Sequence, residues 1–263
     1  MMIVLSPAKT LKRLTIPHVQ LIQKYFTKPK FLEEAKELVK KIQKLNEKEL
    51  QKLLDVSSAI AKTNFERYQN FPSNFEFDES YPSIFLFFGD VYKGFEWDKY
   101  TYEDLLFLQD NVRILSGLYG ILKPFDLIYP YRLEMGTEFK TFSQKFNFQS
   151  LYEFWGDKIT HALNEELSKQ KNKHLVNLAS HEYFQVIDTK NLKYPILNIH
   201  FQEKRNGRYV TIALNSKRAR GIMTNWIVKN RIQNPNDLKN FQLNGYHFSE
   251  EKSDDSNFYF LKN

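Results

Sequence analysis

Three short apolar runs, at residues 2–5, 84–88 and 175–179, limit most strongly what this chain can fold into. Each is too short for a core helix and too apolar for an exposed edge, so each reads as a strand buried on both faces. They lie far apart in the chain yet look equally buried, which predicts one shared sheet. Each run ends in a polar cluster: Ser6-Pro7-Ala8-Lys9, then Gly89-Asp90 with Tyr92, then Ser180 with Glu182. Parallel strands would gather all three clusters at one edge, where open α/β sheets form ligand crevices. Taken singly, each cluster also reads as a strand terminus, because Ser, Asp and Gly are favoured in turns and caps.

Helical spacing fills the intervals. Phe31, Leu32, Ala35, Leu38, Val39, Ile42 and Leu45 fall on one face of a helix over residues 31–45. The lysines between Lys24 and Lys52 are interleaved with glutamates, so they read as a solvated face and not as a binding patch. Ser57 or Ser58 caps a helix over 57–70, Thr101 one over 101–110, and Ser150 one over 150–168. Residues 195–202 and 208–214 flank Arg205-Asn206-Gly207, whose Asn-Gly pair signals a hairpin. Residues 258–261 read as a last strand. No Pro/Gly/Ser-rich linker divides the chain. The fold class expected is α/β: a single domain over 1–263, with a mixed central sheet and surrounding helices.

Composition narrows the chemistry. Hydrophobic residues make up 42% of 263, including 23 Phe and 15 Tyr, enough for a sizeable core. Charged residues at 26% match a globular chain and exclude wholesale disorder. The net charge of +7 permits an anionic partner, and a Lys-rich surface kept for solubility explains it equally. With no Cys, disulfides, thiolate catalysis, Fe–S clusters and Cys-ligated zinc are excluded. The first residues carry no charged signal-peptide region and no run is long enough to span a bilayer, so a cytoplasmic protein is expected. His161 with Glu165, and His181 with Glu182, lack a second His at ligand spacing. No metal site and no cofactor is expected. P-loop, Gly-x-Ser-x-Gly and Ser-x-x-Lys patterns do not occur.

Two segments stand out. Residues 114–136 place Gly117 and Gly120 in an apolar run, break it at Pro124 and Pro130, and end in Tyr131, Arg132 and Glu134. A loop with that mix of aromatic and charged groups lines something. The Gly117–Gly120 turn loosely resembles the hairpin of helix-hairpin-helix proteins, whose backbone N–H groups meet phosphates. Lys123 stands just beyond it; a tight apolar turn explains the glycines equally. A helix from Ser216 puts Ala219, Ile222, Met223, Trp226 and Ile227 inward. Lys217, Arg220, Thr224 and Arg231 form one outer stripe, with Arg218, Asn225 and Lys229 beside it. Gly221 between the stripes would leave backbone bare for a phosphate chain. A solvated helix face is the alternative.

Together these motifs resemble one family. Ser6-Pro-Ala-Lys-Thr10, Gly89-Asp-Val-Tyr-Lys-Gly94, residues 114–136, Leu151-Tyr-Glu-Phe-Trp-Gly-Asp157, Asn177-Leu-Ala-Ser180 with Glu182-Tyr183, and Arg218-Ala-Arg-Gly221 occur in the order seen in the YaaA family of bacterial peroxide-stress proteins. The likeness runs from residue 1 to about residue 260. It implies a DNA-binding protein with a positively charged cleft and a helix-hairpin-helix element, which limits iron-linked oxidative damage to DNA. The chain departs from the family pattern at His181, at Asn225 and in Asn215-Ser216. On this reading DNA is held mainly by phosphate and shape contacts, through Lys9, Lys123, Arg132, Lys217, Arg218 and Arg220, with Gly117 and Gly120 in the hairpin. The alternative is an enzyme acting on a nucleotide or damaged nucleic acid in the same cleft. There Asp90, Glu134 and Glu182 are the acid/base candidates, Lys9 and Arg132 hold the anionic group, and Tyr183 orients it. An iron-handling protein is disfavoured by the ligand inventory. The sequence does not fix an oligomeric state.

Overall fold

The computed structural model describes residues 1–17, 19–72 and 79–263. The strands are β1 (Met2–Leu5), β2 (Tyr81–Pro82), β3 (Val112–Ser116), β4 (Gly120–Leu122), β5 (Leu127–Ile128), β6 (Leu175–Leu178), β7 (Ile196–Arg205), β8 (Arg208–Val210), β9 (His247–Phe248) and β10 (Asn257–Lys262). The α-helices are α1 (Val19–Ile22), α2 (Leu32–Ile42), α3 (Glu47–Leu54), α4 (Ser58–Gln69), α5 (Ser83–Leu86), α6 (Tyr102–Asn111), α7 (Ser143–Phe146), α8 (Leu151–Trp155), α9 (Lys158–Ser168), α10 (His181–Phe184) and α11 (Ala213–Lys229).

One mixed sheet of eight strands organises the molecule, in the order β4-β3-β1-β6-β7-β10-β9, with β8 paired to β7. Strands β3, β1, β6, β7 and β10 run parallel, and β4, β8 and β9 are antiparallel at the margins. Every residue of β1 is buried, as a central parallel strand covered on both faces requires. In β7 buried and half-buried residues alternate, the mark of a strand covered more on one face than the other. The chain leaves β1 toward β3 and β4, then returns to build β6, β7 and β10 on the other side of β1. The strand order therefore reverses at β1, the place where open α/β sheets form a crevice at the carboxyl ends of their strands.

Several expected elements differ. Residues 84–88 do not join the sheet. Ile84, Phe85, Leu86 and Phe87 are all buried, but the chain makes the short helix α5 and then extends beside the segment that follows β1. The Phe88 N–H donates to the Thr10 carbonyl at 2.9 Å and the Lys12 N–H to the Leu86 carbonyl at 2.9 Å. A run buried all round carries no period that separates strand from helix. The helix expected over 150–168 is two helices, α8 and α9, because Gly156 at φ +49° ends the first. Helix α3 was not anticipated, although Asn46 and Glu49 form a capping box at its start. The Asn206-Gly207 hairpin forms as expected, with φ of +48° and +77°.

The Gly117–Gly120 turn corrects the helix-hairpin-helix expectation at that position. It joins β3 to β4 as a β-hairpin, and Leu118 and Tyr119 are fully buried in it. The Ser116 hydroxyl closes the turn by accepting from the Tyr119 N–H at 2.9 Å. Gly117 presses on the next segment: a Cβ there would stand 2.3 Å from the Leu133 carbonyl oxygen. Gly120 has φ +69°, and a Cβ there would stand 2.9 Å from the Trp155 ring. Trp155 is fully buried and donates its indole N–H to the Gly117 carbonyl at 3.1 Å. Both glycines thus serve packing. Gly120→Ala should cost roughly 2 kcal/mol or more, since left-handed strain adds to overpacking. Gly156→Ala, left-handed but with nothing nearer than 3.9 Å, should cost only about 1 kcal/mol. Urea unfolding of both variants checks this; equal losses would contradict the packing account.

Beyond β4, Asp126 ties the next turn together. Its carboxylate accepts from the Thr27 hydroxyl at 2.6 Å and from the Lys123 N–H at 2.8 Å. Burial nevertheless pushes its pKa up to about 6. A carboxyl group raised in the folded state stabilises the fold fully below its unfolded pKa of about 4, and that contribution is lost as pH rises through 6. Asp126→Asn should therefore gain stability relative to the parent between pH 4 and 7, by an amount on the order of 2–3 kcal/mol. Thermal unfolding of both proteins across that range tests it; a difference independent of pH would overturn the assignment.

Candidate functional site

The parallel register sets Leu5 of β1 beside Leu178 of β6, so Ser6 and Ser180 leave the sheet side by side. The Ser180 N–H donates to Ser6 Oγ at 2.8 Å, and the Ser6 hydroxyl donates to Ser180 Oγ at 3.2 Å. The Tyr92 hydroxyl donates to the Ser6 carbonyl at 3.0 Å, and burial raises its pKa well above the ordinary phenol value, which keeps the donor protonated. These bonds lock the first and third polar clusters to the second. The convergence expected of three strands is achieved by two strands and one packed loop.

Helix α11 closes the other side. It starts at Ala213, earlier than expected, and Gly221 within it is buried against the turn at Val91. A Cβ on Gly221 would lie 1.8 Å from the Val91 carbonyl oxygen. The bare backbone at Gly221 is therefore filled by the protein itself and is not open to a phosphate chain. This contact brings Lys217 and Arg220 over the strand ends, where they line a cavity of about 240 Å³ with Ser6, Lys9, Asp90, Tyr92, Ser180 and Glu182. Arg218 points outward, 53% exposed, with Nε 3.5 Å from Asp90 Oδ1; Lys93 lies 3.6 Å from the same oxygen.

The later residues of both outer stripes expected on α11 are scaffold. Thr224 and Asn225 are buried, and Asn225 Oδ1 accepts from the Glu96 N–H at 3.2 Å. Lys229 Nζ lies 2.6 Å from Asp104 Oδ2, and Arg231 also pairs with that carboxylate at 3.6 Å. Conversely, Trp226 is only partly buried, packing edge-on to Phe241 at 5.5 Å. Tertiary contacts on several sides of α11 override the single inward face that its sequence suggests.

Next to the cavity, Glu134 gathers two cations. Its Oε1 lies 2.9 Å from Arg132 Nη2 and 3.3 Å from Lys9 Nζ. Its Oε2 and the Arg132 Nε are buried without a hydrogen-bond partner. Glu182 Oε1 accepts from the Gly136 N–H at 3.2 Å. Lys9, Arg132, Glu134 and Glu182 line an open groove of about 630 Å³ that also takes in Lys52 and Asp55. A further groove of about 690 Å³ shares Lys52, Thr141 and Phe142 with it and adds Lys48, Lys140 and Lys145. The cavity and the two grooves thus form one path, joined at Lys9 and Glu182 and again at Lys52. Of the acid/base candidates, Asp90 and Glu182 share the cavity, and Glu134 and Glu182 share the groove; none of these spaces holds all three.

Lys9, Arg132, Lys217, Arg218 and Arg220 are therefore brought to one region. Lys123 is not: it sits in the Asp126 turn and lines none of these spaces. Gly117 stands behind the site, supporting the Leu133–Glu134 backbone. Lys48 and Lys52, read from the sequence as solvated, line the grooves; the capping box that fixes α3 was the available signal. Among the described residues no three His, Asp or Glu side chains gather as a metal site, and no helix is long and apolar enough to cross a membrane.

The sheet and its edge define an α/β protein with a polar cleft, lined by both cations and carboxylates, at the point where the strand order reverses. The model of the peroxide stress protein YaaA family matches residues 1–252. Among similar chains, a UPF0246 protein of Burkholderia lata is 44% identical over 264 residues, covering 100% of this chain and 98% of its own length. One from Crocosphaera subtropica is 42% identical over 265 residues, covering 100% of each. One from Polynucleobacter necessarius is 44% identical over 253 residues, covering 96% and 95%. The chain belongs to the YaaA peroxide-stress family.

Removing the charge of Glu134 tests the site's internal balance. Glu134→Gln leaves Arg132, whose side chain is 18% exposed, without a counter-charge. Lys9, 64% exposed, loses little. The loss should be roughly 1–3 kcal/mol, read as a lower urea midpoint. An unchanged midpoint would mean that the Arg132 pair is not a structural tie.

Proposed function

We propose that this protein acts in peroxide-stress defence by binding DNA in the cytoplasm along its basic path, and that this limits iron-linked oxidative damage to the bound DNA. One observation carries the reading: Lys217 and Arg220 at one end, Lys9 and Arg132 in the middle, and Lys48, Lys52, Lys140 and Lys145 at the other end line spaces joined by shared residues. A series of cations along one surface suits a phosphate backbone, which it holds without reading bases, and binding would draw Lys9, Arg132, Lys140 and Lys145 from the internal carboxylates Glu134, Glu138 and Glu49. The alternative of an acid/base enzyme draws less support, since Asp90, Glu134 and Glu182 are divided between two spaces.

Duplex binding followed by fluorescence anisotropy across a salt series tests the proposal. Affinity should fall steeply with salt and depend little on sequence. Lys9→Ala and Lys52→Ala should each reduce the slope of log affinity against log salt by about one unit. Glu134→Gln should act in the opposite sense and tighten binding, because it frees Lys9 and Arg132 from their internal anion. A flat salt dependence, or no binding at low salt, would refute the groove as a DNA site. If DNA binding is protective, peroxide-treated cells lacking the protein should accumulate more strand breaks, and an iron chelator should abolish the difference.

A further inference from the structure

The cavity at the strand ends is lined by a cation, Arg220, that no ion pair engages among the described residues. Two other cations held inside the fold have a carboxylate at hand, whereas Arg67 has the Asn64 amide oxygen at 3.2 Å. Arg113, with its side chain 6% exposed, lies 2.5 Å from Glu166, and Lys229 lies 2.6 Å from Asp104. Arg220 is different. Its Nε is buried with no hydrogen-bond partner, and among the described residues no carboxylate pairs with its guanidinium. Burial lowers its pKa from the ordinary arginine value, yet a guanidinium stays charged at neutral pH. A desolvated cation without a counter-charge is costly, and it persists where something else supplies the charge.

The surroundings of Arg220 indicate what that is. Asp90 in the same cavity is already engaged by Lys93 and Arg218 on its outer side. Glu182 accepts from the Gly136 N–H and makes no ion pair with Arg220 among the described residues. Ser180 Oγ accepts the Ser6 hydroxyl proton, which leaves its own hydrogen to donate. Lys9 and Lys217 add positive charge at the lining. At about 240 Å³ the cavity is far smaller than the neighbouring open groove of about 630 Å³. The smaller cavity suits one compact anionic group better than a length of strand. Guanidinium and hydroxyl donors around a small recess suit a phosphate with three free oxygens, which arginine engages through paired N–H groups.

We infer that this cavity seats one terminal phosphate group, a phosphomonoester, with Arg220 as its counter-charge and the Ser180 hydroxyl as a further donor. The inference rests on the reading of the cleft as an anion site, but not on duplex binding. A mononucleotide and a phosphorylated DNA end share the required chemistry.

The test uses the full chain in two arms. Calorimetric titration compares 5′-dAMP and inorganic phosphate with deoxyadenosine and with succinate. Anisotropy compares a duplex bearing 5′-phosphates with the same duplex bearing 5′-hydroxyls. The phosphorylated member should bind at least about tenfold tighter in one or both arms, the gain expected of hydrogen bonds to a charged group. Arg220→Gln should erase that preference, Arg220→Lys should keep part of it, and Lys40→Gln, an exposed position on α2 outside these spaces, should leave it intact. A preference confined to dAMP assigns the site to free nucleotides, and one confined to the duplex assigns it to DNA ends. Equal binding of phosphorylated and unphosphorylated ligands in both arms overturns the inference, as does succinate binding as tightly as phosphate. The hydroxyl duplex reports on the groove alone, so failure of the groove reading is seen separately. If Arg220→Gln does not fold, as judged by circular dichroism, the comparison within the parent protein still decides.

Discussion

The pairing of β1 with β3 on one side and β6 on the other is the interaction on which the rest of this structure depends. It buries every β1 side chain and fixes the register that sets Leu5 against Leu178. A slip of one residue would turn each β1 side chain to the opposite face and part Ser6 from Ser180. Because the strand order reverses at β1, nothing in the sheet covers the ends of β1 and β6, and the space is left to loops and to α11. The cleft is thus a consequence of topology, and the residues around it determine its charge.

Close backbone approach decides how α11 meets that cleft. Gly221 lies against the Val91 carbonyl and Gly94 against the Gly221 backbone. The turn at Tyr92–Gly94 and the helix can therefore touch without side chains between them. That contact carries Arg220 inward while Arg218 stays exposed. On the other flank, Gly117 lets the Leu133 backbone close on the β3–β4 turn, which sets Arg132 and Glu134 beside Lys9. Two glycine contacts on opposite sides position the cations, and internal carboxylates then hold some of them and leave Arg220 free.

Features written in local chemistry were legible in the sequence. The Thr101 cap closes into a capping box with Asp104, and Asn206-Gly207 turns the β7–β8 hairpin. β1 and β6 are short buried strands flanked by turn residues. The mixed α/β sheet and the gathering of Ser6, Asp90 and Ser180 followed from those signals. Features set by distant partners were not legible. The run at 84–88 is buried on every side, so it carries no period. Gly221 has its partner at Val91, far away in the chain, so nothing local marks its backbone as covered. The buried hairpin at Gly117–Gly120 depends on Trp155 and Leu133, which its own sequence does not mention. Lys52 lines a groove because α3 sits across from Arg132, while its neighbours Lys36 and Lys41 pair with glutamates on α2 as a solvated face does.

The central claim is that the cations along this path, and not the general basicity of the surface, meet the phosphate backbone. Mapping lysine acetylation by mass spectrometry, with and without a saturating DNA duplex, tests that claim most directly. The account predicts protection of Lys9, Lys52 and Lys217 on binding, with Lys36, Lys40 and Lys123 labelled as in the free protein. Protection spread evenly over all six lysines, or confined to Lys36, Lys40 and Lys123, would contradict it.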